Sequence, residues 1–199
     1  MARYFGEIDT DKIIIGDEEI GNNGGKYRKI SYDGQQMKDI QLGASVNDLL
    51  RCPFGIEPVS QNAPDKFCFK VEANDNLTKF IQELDAKVIQ SVNDETLTHR
   101  STLRIGTMSN NIRIKILPDT QFLMTFKKSD TVMTQPTIAS KEDITANSMV
   151  LPIIKIQNGV YYIEENYGTS IVATQVLIVN GHNTNEHVNF LFGTDITME

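Results

Sequence analysis

The residues of this chain whose types and spacing say most about chemistry are cations. Between His99 and Lys128 lie Arg100, Arg104, Arg113, Lys115, Lys127 and Lys128 against a single acid, Asp119, a local balance of +5 within a chain of net charge −7. An acidic protein that collects positive charge in one strip is segregating it, and segregated charge concerns partners rather than fold. Guanidinium and ammonium groups at this density can neutralise a run of phosphates, with an affinity that falls as salt rises because bound counterions are released. Two of the six are fixed in direction by their neighbours. Ile112, Ile114 and Ile116 alternate with Arg113 and Lys115. In a strand the isoleucines would enter a core while both cations project from the other face. Arg113 and Lys115 are therefore the leading phosphate contacts, and Arg104, Lys127 and Lys128 add charge nearby in sequence. A solvated sheet face is the plain alternative for all five.

Exposed aromatic rings would complete such a site, because each base stacked on a ring contributes about 1–3 kcal/mol. Tyr161 and Tyr162 point to opposite faces of one strand. Tyr162 shares its side with Glu164 and is the expected exposed ring, with Tyr167 in the following turn as the second; a half-buried phenol is the alternative for each. Phe54, Phe67, Phe69, Phe80 and Phe122 are expected in the core, where phenylalanine usually sits.

Other chemistries find little support. Cys52 and Cys68 are the only cysteines, and His99, His182 and His187 form no HxxxH or HExxH pattern. Two thiols read as small buried hydrophobes, and neither a metal site nor a cofactor is expected. The GxxxxGK[ST], GxGxxG and GxSxG patterns are also absent, so the expectation is a binding protein rather than an enzyme.

The elements that must position these residues are mostly strands. The one convincing helix is predicted over Leu77 to about Val92, where Leu77, Phe80, Ile81, Leu84, Val88 and Val92 form a single apolar stripe. Asn76 or Asp75 would cap it, and Asp85 would cap or orient a loop. Residues 1–25 read as a flexible acidic arm or loop, with Ile13–Ile15 able to form a short strand. Strands are expected from Lys26 to Tyr32, from Met37 to Leu42 after an Asp33-Gly34 turn, and from Phe67 to Val71. Others follow over Ile112–Ile116 and, after a break at Pro118-Asp119, over Gln121–Phe126. Residues 129–147 read as a long loop. Met149–Ile156 and Val160–Glu164 would form a hairpin around Asn158-Gly159, and Ser170–Val179 would be the last strand. Seven or eight short strands and one inserted helix imply a mainly β chain, an OB-fold-like Greek-key barrel over residues 26–179, with a polar tail over 180–199. The longest apolar-leaning run, Ile171–Val179, has nine residues, against about 20 for a bilayer span. With no secretory signal pattern, a soluble intracellular protein without membrane contact is expected.

Taken together, Pro53-Phe54-Gly55-Ile56, Phe80 with Leu84-Asp85, Ile112 to Ile116, and Val150 through Gly168 with Asn158-Gly159-Val160-Tyr161-Tyr162-Ile163 resemble the single-stranded DNA-binding proteins of the T7-phage type, in the version found in large DNA viruses of eukaryotes. The resemblance implies an OB-fold that coats exposed strands in viral replication, recombination or repair. It further implies replication proteins as partners, a homodimer as one oligomeric state, and a host nucleus or cytoplasmic replication site as the location. The chain departs from those proteins in having no Trp and only two acids in its last seven residues. The competing expectation is a structural β-protein of a virion, a minor capsid or cement component, whose charge asymmetry would serve subunit contacts.

Overall fold

The computed structural model describes residues 2–37, 39–43, 48–127 and 134–180. Among these the chain runs β1 (Arg3–Tyr4), β2 (Ile13–Ile20), β3 (Lys26–Tyr32), β4 (Gln35–Gln36), β5 (Ile40–Gln41), β6 (Leu50–Cys52), β7 (Ile56–Ser60), β8 (Ala63–Ala73) and the helix α1 (Asp75–Val92). It continues through β9 (Thr98–Arg100), β10 (Leu103–Arg104), β11 (Asn110–Phe126), β12 (Thr137–Ile138), β13 (Ser148–Ile163) and β14 (Asn166–Asn180). The architecture is mainly β with a single α-helix, a curled half-barrel of OB-like kind. The central order is β1-β5-β13-β14-β11-β8-β7, with the shorter strands paired along its edges. Among the described residues no helix is long and apolar enough to cross a membrane.

The helix forms where the apolar stripe predicts, two residues earlier than expected. Its cap is Asn74, whose side-chain oxygen accepts from the Leu77 amide at 2.9 Å, because the first turn, with its free N–H groups, begins at Asp75. Asn93 ends it in the left-handed conformation at φ 46°. Leu77, Phe80, Ile81, Leu84, Val88 and Val92 are all buried. The first four join the main core with Phe69, Val71, Ile112, Ile114, Ile154 and Ile171, while Val88 and Val92 make a smaller cluster with Val160 and Tyr167.

Several boundaries differ from the sequence reading, each for a local reason. The first 25 residues do not form an arm: β2 pairs antiparallel with β3, and Phe5 and Ile13 are buried in the core. The loop character is confined to the Gly21–Gly25 turn, closed by Gly21 N–H to Gly25 O at 2.8 Å. The Asp33-Gly34 turn forms with both residues at positive φ, but the returning strand is the two-residue β4, and Ile40–Gln41 pairs in parallel with β1. Pro118-Asp119 does not end a strand; β11 runs through it as an irregularity between Ile116 and Gln121. Asn158-Gly159 is likewise not a hairpin turn. β13 continues past it with a pairing break between Ile156 and Val160, and the reversal comes at Glu164, at φ 53°. Gly159 sits at φ 75°, and a Cβ there would collide with the Arg28 carbonyl, so the Asn-Gly signal serves the close approach of β3 rather than a turn.

Leu84→Ala is expected to destabilise the fold by about 2–5 kcal/mol, the range for truncating a buried leucine. Denaturant unfolding of that variant beside the parent checks it; coincident curves would mean this stripe does not hold the core.

Candidate nucleic-acid interface

β8 and β11 pair antiparallel with Ile112 opposite Val71, Arg113 opposite Lys70, Ile114 opposite Phe69 and Lys115 opposite Cys68. Phe69, Val71, Ile112 and Ile114 are fully buried on one side. Alternation therefore places Lys66 and Lys70 of β8 on the same outer face as Arg113 and Lys115 of β11. β10 pairs with β11 so that Leu103 meets Ile112 on the core side and Arg104 meets Asn111 on the outer side. Three of the seven residues proposed from sequence, Arg104, Arg113 and Lys115, thus come together, joined by Lys66 and Lys70. Those two were legible in the Lys66-Cys68-Lys70 alternation but lay outside the strip.

The face is hollow. Glu57, Pro58, Val59, Ser60, Gln61, Pro64, Lys70, Arg104 and Arg113 line a cleft of about 620 Å³, large enough for one nucleotide. Pro58, Val59 and Pro64 give it apolar surface and the cations give it charge. Glu57 is the cleft's acid, and Lys70 occupies it at 2.8 Å. Glu72, further along β8, is held by Arg51 at 2.8 Å. The Arg113 guanidinium donates to the Val59 carbonyl and to Cys68 Sγ, the latter at 3.2 Å, which fixes its plane across the floor. Among the described residues no carboxylate lies within ion-pair distance of Lys66, Arg104, Arg113 or Lys115. The consequence shows in Lys115: burial first, then repulsion from Arg113 and Lys66, hold its ammonium below the usual lysine range. Cations kept together with few partners are a site that gains from an incoming anion.

Phe54 supplies an exposed ring. It is 63% exposed, not a core residue, and the Lys70 ammonium lies 5.5 Å from its centroid. Gly55, at φ 71° and packed against the Thr145–Ala146 backbone, makes the turn that presents it. Phe67 is half-buried under Lys141, 4.7 Å from its ring.

The remaining sequence candidates lie elsewhere. Tyr167 is buried on the core face of β14 and stacks on Tyr162 at 6.2 Å, so neither is the free ring expected; helix α1 covers this end of the sheet. Tyr162 is half-buried, and its hydroxyl accepts from Arg28 Nε at 2.8 Å. Lys127 closes the far end of β11, its amide donating to Asn180 O at 3.0 Å, twelve residues beyond Lys115. Lys128 and the tail from residue 181 lie outside the described residues. No family model and no curated protein matches this chain.

One further polar group is buried near Tyr167. Asp85 of α1 accepts from Ser101 Oγ and lies 3.5 Å from His99 Nε2, so it orients the β9–β10 loop as the sequence suggested. The hydroxyl, carboxylate and imidazole do not form a nucleophile relay, since Ser101 donates to Asp85 rather than to His99. Burial pushes the Asp85 carboxyl up, opposed by the Ser101 bond and by His99. Burial pushes the His99 imidazole down, opposed by Asp85. Among the described residues no three His, Cys, Asp or Glu side chains converge as metal ligands.

Asp85→Asn keeps an acceptor for Ser101 and removes the charge that holds His99 up, so His99 should titrate lower than in the parent. A folded-state value below the unfolded one, about 6.5, means the native protein binds fewer protons there. Stability is then lost as pH falls through that value, more steeply in the variant. Imidazole NMR titration alongside melting between about pH 8 and 5 checks this; an unmoved His99 midpoint would show that the pair is not coupled.

Proposed function

We propose that this protein binds single-stranded DNA without enzymatic chemistry, along the outer face of β8, β10 and β11. The observation that carries the reading is the meeting of Lys70, Arg104 and Arg113 around a nucleotide-sized cleft, with Lys66 and Lys115 on the same sheet face and the exposed Phe54 ring beside Lys70. A backbone path of cations and a sequence-indifferent stacking platform are the two parts that non-specific single-strand binding requires. The apolar surface that Pro58, Val59 and Pro64 give the cleft suits a base splayed from its neighbours. The resemblance to phage-type single-strand coating proteins, and the OB-like half-barrel, support the same reading. Replication, recombination or repair of viral DNA is the setting it fits, with replication proteins as partners.

Two sets of variants test it without disturbing the core. Lys66 and Arg104 are exposed, whereas Arg113 also holds β7 through Val59. Lys66→Gln with Arg104→Gln should flatten the logarithmic salt dependence of oligo-dT binding by about 1.4, since each single-strand phosphate contact contributes about 0.7. Phe54→Ala should weaken binding by about 1–3 kcal/mol, and Phe54→Tyr should restore it. Fluorescence anisotropy at several salt concentrations reads both. A parent that binds no single strand at low salt would overturn the proposal. Folded variants with unchanged affinity and slope would remove this face from the site and favour a virion subunit contact.

A further inference from the structure

The turn joining β10 to β11 runs from Ile105 to Ser109, immediately after Arg104 of the cleft rim. It carries two large apolar side chains in open solvent, Ile105 at 69% and Met108 at 98% exposure. Single exposed apolar residues are ordinary. Two on one short tip, next to a cleft cation, form a concentrated apolar point. The turn is also built to stay in place. A Cβ on Gly106 would strike the Ser109 carbonyl, so only glycine lets the chain fold back this tightly. At its base Ser109 Oγ donates to Glu72 Oε1 at 3.3 Å, Asn110 Nδ2 to Thr78 Oγ1 at 3.4 Å, and Asn111 Nδ2 to the Ser109 carbonyl at 3.1 Å. These bonds tie the tip to β8 and to the first turns of α1. The Arg113 amide bonds the Thr102 carbonyl at 3.2 Å and clamps β10 to β11 below it.

A strand that lies in the cleft and leaves it past Arg104 meets Ile105 and Met108 next. Where that strand pairs with a complement, the first base pair stands against two apolar side chains on a fixed mount. Apolar side chains in this position enter a base step and unstack it, while neighbouring cations hold the phosphates. We propose that the β10–β11 tip is an apolar wedge that opens the terminal base pair at a junction between single- and double-stranded DNA. The occupant is a base step rather than a protein surface, because the tip continues a rim of Arg104 and Arg113 that favours a polyanion. The proposal rests on the single-strand reading of the cleft above.

The test compares oligo-dT with a forked DNA of the same single-strand length, whose first paired base is 2-aminopurine. The parent should bind the fork several-fold more tightly than oligo-dT and raise the 2-aminopurine fluorescence as that base unstacks. Ile105→Ser with Met108→Ser should bind oligo-dT as the parent does, bind the fork no better than oligo-dT, and leave the fluorescence unchanged. Met108→Leu should behave as the parent. A melting curve of the double variant should match the parent, since both side chains are outside the core. A parent that binds oligo-dT but shows no fork preference and no fluorescence rise overturns the wedge and leaves the single-strand interface standing. A folded double variant that keeps both overturns it equally. A parent that binds neither ligand overturns the interface and the wedge together.

Discussion

The antiparallel register of β8 against β11 is the constraint on which the rest depends. A residue in a strand has two directions available. The pairing that sets Phe69 opposite Ile114 and Val71 opposite Ile112 inside the core has to set Lys70 opposite Arg113 outside it. A slip of one residue would turn the cations of one strand inward, Lys66 and Lys70 or Arg113 and Lys115, while the other strand kept its place, so the apolar interior enforces the register. Like charges opposite one another across strands are unfavourable. The protein relieves part of that strain locally, through Glu57 on Lys70 and through the Val59 carbonyl and Cys68 thiol on Arg113. Lys115, opposite Cys68, is held below the usual lysine range chiefly by burial, with repulsion from Arg113 and Lys66 adding to it. The core thus holds in place a face whose cations repel one another, and the proposed binding of a polyanion rests on that feature.

Helix α1 does a second job beyond filling the barrel. Its first half packs Leu77, Phe80, Ile81 and Leu84 into the main core, and its last turns carry Val88 and Val92 over Val160 and Tyr167. That second contact, with the His99–Asp85 pair beside it, closes the end of the sheet where β9 runs parallel to β14. Tyr162 of β13 and Tyr167 of β14 are drawn under the helix. The ring available to a ligand instead comes from the loop ahead of β7.

What the sequence made legible follows from periodicity. The helix stripe, the isoleucine alternation and the pairing of core with cation faces are all properties of neighbouring residues, and they appear where expected. Phe54 reads as a core residue because phenylalanine usually sits inside and Pro-Phe-Gly in a loop has no period to assign its direction; only the packing of Gly55 against residues 145 and 146 decides it. Tyr167 reads as an exposed turn residue because its cover, Val88 and Val92, comes from a distant part of the chain. Asn158-Gly159 carried a correct local signal, positive φ at the glycine, whose use depends on Arg28 lying above it. In each case the local conformation was readable and the tertiary neighbour was not. Lys66 and Lys70 show the converse, since their direction was readable while their meeting with Arg113 required the register.

The placement of β14 has a consequence for how the chain acquires its shape. β14 lies between β13, its hairpin neighbour, and β11, which is more than forty residues earlier and parallel to it. Until residues 166–180 have left the ribosome, β11 has an open edge along Gln121–Phe126, where Phe122, Leu123 and Met124 stand in an unpaired row. Parallel, sequence-distant pairing closes slowly because the intervening loop must be ordered first, and an open apolar edge invites other chains to pair with it. The nascent chain is therefore most exposed to aggregation just before β14 docks, and that docking step is where a chaperone would have the greatest effect on yield.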